Sequence, residues 1–305
     1  LSKRALKTAI PAFLICAAAA ILPAPAAQAA DKPIVVATFT IIGDLVEQVG
    51  GDAVSVTTLV GPDGDAHVFE PKPSDVAAVA KAKLVVANGL GMETWLDRLT
   101  EAAGYKGTVV VASTGVTPLP FKEEADSAGN MPSDPHAFQD LANGRLYVKN
   151  IAAALEQVAP DQAGAIAARA AKLDAEMAAL DTEIKAKLGT LPVANRRILT
   201  SHDAFHYFGK AYGLDIVSIQ GVSTESEPSA ADLAAIARQA RDGKVKAIFL
   251  ENMSNPALAK TISGESGVPV GGELVADALT APGGLAAHYQ DMFRYNTAEL
   301  LKVLQ

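Results

Sequence analysis

Residues 165–188 read AIAARAAKLDAEMAALDTEIKAKL. Neither glycine nor proline interrupts the run, and Ile166, Ala170, Leu173, Met177, Leu180, Ile184 and Leu188 recur at spacings of mostly three and four. That repeat lines one stripe of an α-helix at 3.6 residues per turn. A helix over 161–188 would measure roughly 40 Å at about 1.5 Å per residue. On either side, short β-branched runs alternate with amphipathic stretches. A long helix between two βα-rich halves predicts a connector packed along both. The chain therefore reads as two α/β lobes, residues 31–160 and 191–305, joined by a helix over 161–190.

In the first half, Ile34-Val35-Val36-Ala37 reads as a buried strand, and Ile42, Leu45, Val46 and Val49 then share one helical face. A second strand over 54–60 ends at Gly61-Pro62-Asp63-Gly64, a strong turn signal. Ser74 is placed to cap the next helix, and 84–87 and 109–112 supply two more strands. Residues 115–135, rich in proline, glycine and acid, form a long loop ending at His136, and such a loop inside a compact lobe is usually functional or mobile. The second half repeats the alternation. Strands are predicted over 197–200, 216–219 and 245–250, and helices over 229–241, 256–263 and 287–304. The first of those helices has a Ser229-x-x-Asp232 capping start. Strand, crossover helix and strand in succession favour mostly parallel sheets.

The N-terminal thirty residues stand apart. Lys3, Arg4 and Lys7 precede an apolar stretch over 9–22, and Ala27-Gln28-Ala29 offers an A-x-A cleavage site. This is the secretory pattern, and its apolar part is short for a membrane span. Residues 1–30 are accordingly expected to be a cleaved signal peptide. The single cysteine, Cys16, lies in that segment behind Ile15, where lipid-attachment signals usually have a small residue. The mature chain then has no thiol for disulfides or metal ligation. The formal charge of −8 grows more negative once the three leader cations are removed. An acidic chain without a basic stripe is a poor nucleic-acid partner, and it is compatible with attracting a cation.

Little else looks chemically armed. There is no G-x-S-x-G, no phosphate-binding glycine loop and no CxxC. What stands out is the setting of the histidines. Three of the five occupy polar, turn-like segments: Gly64-Asp65-Ala66-His67, Ser133-Asp134-Pro135-His136 and Thr200-Ser201-His202-Asp203. A histidine after a turn, or where a strand gives way to a helix, projects from the end of an α/β layer, where such folds place ligand groups. Three imidazoles and a carboxylate, converging from distant parts of the chain, suit a first-row divalent metal. His206 is four residues beyond His202, a spacing that would put both on one helical face. A plain helical histidine near the cleft is the simpler reading of it. His288, beside Tyr289 in the terminal helix, reads as structural or surface.

Five segments, taken in order, resemble one family. They are Gly64-Asp65-Ala66-His67-Val68-Phe69-Glu70-Pro71, Asn88-Gly89-Leu90-Gly91-Met92-Glu93-Thr94-Trp95-Leu96, Asp134-Pro135-His136, His202-Asp203-Ala204-Phe205-His206-Tyr207-Phe208 and Ser223-Thr224-Glu225-Ser226-Glu227-Pro228-Ser229. Together they are similar to the metal-binding lipoprotein and periplasmic zinc-binding family, the solute-binding components of ATP-binding-cassette importers for zinc or manganese. The likeness runs from about Pro33 to the C-terminus. It implies two Rossmann-like α/β lobes with mostly parallel sheets, one long connecting helix and one metal in the interlobe cleft. It also implies His67 and His136 as ligands from the N-terminal lobe. His202 and Asp277 would come from the C-terminal lobe, the latter within Leu274-Val275-Ala276-Asp277-Ala278-Leu279, with Glu273 as its nearest acidic rival. The implied role is that of a periplasmic monomer that captures a divalent ion and delivers it to a membrane permease with its ATPase.

Around these motifs, Asp65, Glu70, Glu93, Glu225 and Glu227 are acids able to hold an imidazole N–H, and none is assigned an individual role. Trp95 either screens the site or packs in the core. Three imidazoles and one carboxylate are softer than two of each, which favours zinc over manganese. Against that, zinc importers of this family often carry a histidine-rich loop where residues 119–134 have acids and no histidine. Manganese therefore stays as the alternative, and a periplasmic donor protein becomes a candidate source of metal. The rival class is a zinc hydrolase, because His202-Asp203-Ala204-Phe205-His206 resembles H-E-x-x-H on a helix. Its acid is a methylene short, and a four-ligand site would leave no position open for water. The carrier reading, with no enzymatic activity, is preferred. Because imidazoles must be neutral to ligate, affinity is expected to drop as pH falls through about 6.5.

Overall fold

The structure is a computed structural model, and it describes residues 32–121, 131–221, 224 and 229–305. The expected signal peptide, Cys16, Glu225 and Glu227 lie outside the described residues, as does the middle of the 115–135 loop. Among the described residues, no helix is long and apolar enough to cross a membrane.

The first lobe is built from β1 (Ile34–Phe39), α1 (Thr40–Gly50), β2 (Ser55–Val60), α2 (Pro73–Lys81), β3 (Leu84–Ala87), α3 (Leu96–Ala102) and β4 (Thr108–Val111). Its sheet is parallel throughout, in the order β2-β1-β3-β4. β1 and β3 are central and almost wholly buried, which is why they read as continuous apolar runs rather than alternating ones. On α1, the predicted face of Ile42, Leu45, Val46 and Val49 is fully buried. Helix α2 starts one residue earlier than its expected Ser74 cap. Pro73 takes the first turn, where its missing N–H is no loss, and Asp75 accepts from Lys72 N at 2.7 Å.

After α4 (Leu141–Val158), the chain enters α5 (Ala163–Gly189), the long helix of the apolar stripe. All seven predicted stripe residues, from Ile166 to Leu188, are buried. The second lobe follows with β5 (Arg197–Thr200), α6 (His206–Tyr212), β6 (Asp215–Ser218), α7 (Ala230–Asp242), β7 (Ile248–Glu251), α8 (Pro256–Ser266), β8 (Val270–Leu274) and α9 (Tyr289–Leu304). Its sheet, β6-β5-β7-β8, is again all parallel and repeats the order of the first. The Ser229–Asp232 capping box opens α7 as expected.

Strand β8 was invisible to pattern reading because Gly271 and Gly272 dilute its β signal. The neighbouring strand explains Gly271: a Cβ there would lie 3.0 Å from the Phe249 ring and 3.1 Å from the Ala247 side chain. In both sheets the strand order reverses beside the first strand, and in such folds ligands bind beyond the C-terminal strand ends at that point.

Candidate metal centre

Each of the four candidate side chains sits just past the C-terminal end of a strand or in the loop leading from it. β2 stops at Val60, and Asp63 takes a left-handed conformation (φ 55°) as the chain turns. Asp65 then accepts from His67 N at 2.8 Å, curling the loop. Behind it, Trp95 Nε1 donates to Ala66 O at 2.8 Å, and its ring packs 4.8 Å from Phe69. Trp95 is thus buried core that also fastens the His67 loop.

His136 ends the long loop after β4 and precedes a single helical turn, Ala137–Gln139. Asp134 Oδ1 takes both the His136 backbone N–H, at 2.9 Å, and Nδ1, at 2.8 Å. His202 lies two residues past β5, and Glu251, the last residue of β7, grips the same two atoms with both of its oxygens. One Glu251 oxygen accepts from His202 N at 3.0 Å and the other meets Nδ1. Asp277 lies just beyond β8, where Asn296 pairs with both backbone groups of Val275 and Gln139 Nε2 donates to Ala276 O.

The four side chains converge. One donor atom from each of His67, His136, His202 and Asp277 lies within 4.8 Å of all the others, and every one of the four residues is buried. Asp277 Oδ2 is 3.0 Å from His202 Nε2, 3.4 Å from His67 Nε2 and 3.5 Å from His136 Nε2. His67 Nε2 and His136 Nε2 are 3.2 Å apart. Asp277 Oδ1 is buried with no hydrogen-bond partner among the described residues. With carboxylates on Nδ1, His136 and His202 are held as tautomers whose Nε2 lone pairs can face the centre.

The charges are strongly coupled. Burial opposes a proton on His136, but Asp277 and Asp134 outweigh it and push its pKa up to about 9. Burial likewise opposes the charge on His202, and Glu251 and Asp277 raise it well above the ordinary value. For Asp277, burial works upward, yet His136 and His202 hold it well below the usual carboxylate range. Without metal, these raised values favour protons on His136 and His202. The sequence-based expectation of a transition near pH 6.5 therefore moves upward, to about 9 for His136.

The remaining candidates separate cleanly. Glu273, the rival of Asp277, is exposed on β8, as is Glu70 on its loop. Glu93 accepts from Thr38 Oγ1 and from the Asn88 and Gly89 amides at 2.7–3.0 Å, so it shapes a loop rather than an imidazole. His288 sits on the surface, 2.7 Å from Asp44. His206 is outside the four-residue cluster and begins α6, whereas His202 precedes that helix. The helical two-histidine face that a zinc hydrolase needs is absent here. Two acids gained roles that sequence reasoning had not assigned, Asp134 and Glu251. An acid at the C-terminal end of the predicted strand over 245–250 was the available signal for Glu251.

The model of the family described as zinc-uptake complex component A, periplasmic, matches residues 35–303. The chain belongs to this family. As a member, it is the metal-binding component of an ATP-binding-cassette importer, working with a membrane permease and its ATPase, and it is not an enzyme. The manganese-binding lipoprotein MntA of Halalkalibacterium halodurans is 34% identical over 262 residues, covering 86% of this chain and 85% of that protein. The manganese importer lipoprotein PsaA of Streptococcus mitis is 30% identical, with 91% of each chain covered. Among solved structures, the periplasmic zinc-binding protein TroA of Treponema pallidum superposes with a TM-score of 0.84 at 29% identity, covering 90% of this chain and 99% of its own. The manganese-bound periplasmic metal-binding protein of Candidatus Liberibacter asiaticus gives 0.79 at 26% identity, covering 90% of this chain and 100% of its own.

Proposed function

We propose that this member captures one zinc ion with His67, His136, His202 and Asp277 and hands it to its permease. The observation that carries the reading is the spacing of the donor atoms. Four ligands about 2.0–2.1 Å from a zinc ion form a tetrahedron with edges of about 3.3 Å. Four of the six separations, those around Asp277 and between His67 and His136, are 3.0–3.5 Å, and all six are within 4.8 Å. Three imidazoles to one carboxylate is also a donor set softer than manganese prefers.

Manganese is the second reading, and two observations favour it. MntA and PsaA are named for that metal. Asp277 Oδ1 is buried and uncommitted, so the carboxylate could offer a second oxygen to a larger, oxygen-seeking ion. Competition titration by calorimetry decides between them. Tighter binding of zinc at equal free concentration is the expected result, and a preference for manganese overturns the zinc assignment.

The proposed location is the periplasm, after cleavage of a leader ending near residue 30. The family description supports it, while MntA and PsaA are lipoproteins by name. Intact-mass measurement of the mature chain is expected to show a start near residue 30. An acylated Cys16 would replace the free form with a tethered one.

A further inference from the structure

His206 is the one histidine near the centre that the ligand set leaves without a task. It opens α6 in the C-terminal lobe, and its ring lies between two carboxylates. Nδ1 is 3.4 Å from Asp134 Oδ2, and Nε2 is 3.1 Å from Asp203 Oδ1. Asp134 belongs to the loop of the other lobe, and its second oxygen is already committed to His136. One buried carboxylate thus connects His136 to a side chain from across the seam. The adjacent residue reinforces the contact. Tyr207 OH donates to Asp134 O at 3.1 Å and accepts from Leu119 N at 2.9 Å.

Resting on the ligand set proposed above, we infer that His206 is a positioning residue: it braces Asp134 from the opposite lobe, so that Asp134 holds the His136 imidazole in its ligating orientation. The physical need is specific. The terminal torsion of an aspartate is broad and roughly two-fold, so a carboxylate anchored through one oxygen can swivel. Both bonds to His136 load the same oxygen, Oδ1. The free end, Oδ2, is buried and meets no well-formed hydrogen bond among the described residues. At 3.4 Å the His206 ring acts on it as a nearby charge or dipole and a steric stop. Asp203 Oδ1 lies 3.1 Å from the other side of that ring, also without hydrogen-bond geometry, so the ring is confined between two carboxylates by proximity and charge. Because the brace crosses between lobes, removing it should loosen the loaded state and speed release. The His206 side chain is 31% exposed, so truncating it leaves a surface notch and no buried cavity.

The test uses the full mature chain loaded with zinc and mixed with excess chelator in a stopped-flow instrument. A direct partner of a ligating histidine typically controls 10–100-fold of affinity. For His206, one contact further out, the expected effect of His206→Ala is about three- to tenfold faster release. His206→Asn places an amide N–H near the position of Nδ1 and should return the rate to within about twofold of the parent. The visible spectrum of the cobalt-loaded protein should shift in His206→Ala and recover in His206→Asn. Parental release in His206→Ala overturns the inference, and so does equally fast release from both variants. A fall in melting midpoint that His206→Asn fails to restore marks a merely structural role and also overturns it. His136→Ala, run alongside, reports on the ligand set itself: if it retains tight zinc, that reading fails and this one falls with it.

Discussion

Replacing Glu251 with glutamine changes no ligand and almost no volume, yet the geometry requires it to weaken metal binding. Glu251 ends β7 and is 2% exposed, with one oxygen on the His202 backbone N–H and the other on Nδ1. Two donors thus converge on a group that must accept twice. Glutamine offers one acceptor and one donor. If its oxygen serves the backbone, its amide N–H faces Nδ1, and the ring pairs only by moving its proton to Nε2, the atom aimed at Asp277 and the metal. If the amide is flipped, the buried His202 N–H loses its partner, at about 1–3 kcal/mol. Loss of such an orienting partner typically weakens metal affinity about 10–100-fold, or about 1.4–2.8 kcal/mol at 1.4 kcal/mol per decade. One effect runs the other way. Glu251 is the main group that raises the His202 pKa against burial, so the variant also has less proton competition to overcome. The deficit should therefore be larger at pH 9 than at pH 7. Chelator competition at both values measures it, and nitrogen-15 spectra of the imidazole report the tautomer. An affinity within about threefold of the parent at pH 9 would refute the reasoning, whichever tautomer the spectra show.

Affinity should also climb with pH beyond the ordinary histidine range. His136 is raised from 6.5 to about 9, so its proton stabilises the metal-free fold fully below pH 6.5 and is lost as pH rises through 9. Metal must displace that proton, so affinity rises through the same window while metal-free stability falls, and an affinity flat from pH 7 to pH 9 argues against it. Zinc at about a thousand times its Kd should stabilise the fold by about 4 kcal/mol, a rise of roughly 8–16 °C in Tm, readable by scanning calorimetry. Gly144→Ala should cost about 1–3 kcal/mol, because the new Cβ would sit 2.5 Å from the buried Tyr289 hydroxyl that bonds Phe138 O; urea melts would reveal it. His288→Ala should leave metal affinity within about twofold of the parent in the same chelator assay, since His288 faces solvent and Asp44, away from the cluster.

Elements whose stability is local were legible in the chain. The stripe from Ile166 to Leu188 specifies α5 because each residue's burial depends on a periodicity of a few positions. The runs over 34–37 and 84–87 read as strands because central parallel strands are buried on both faces. β8 escaped because Gly271 answers to the Phe249 ring on the neighbouring strand, a constraint that no local window contains.

The site divides along the same line. Turn chemistry around His67, His136 and His202 marks them as projecting groups from sequence alone, and the family resemblance adds Asp277. Their convergence to within 4.8 Å of one another is a product of the packing of two sheets whose contributing segments are up to about two hundred residues apart. The roles of Asp134 and Glu251, and the raised His136 pKa, likewise come from through-space neighbours. Burial and Coulomb forces act over ångströms, and only the folded chain sets those distances.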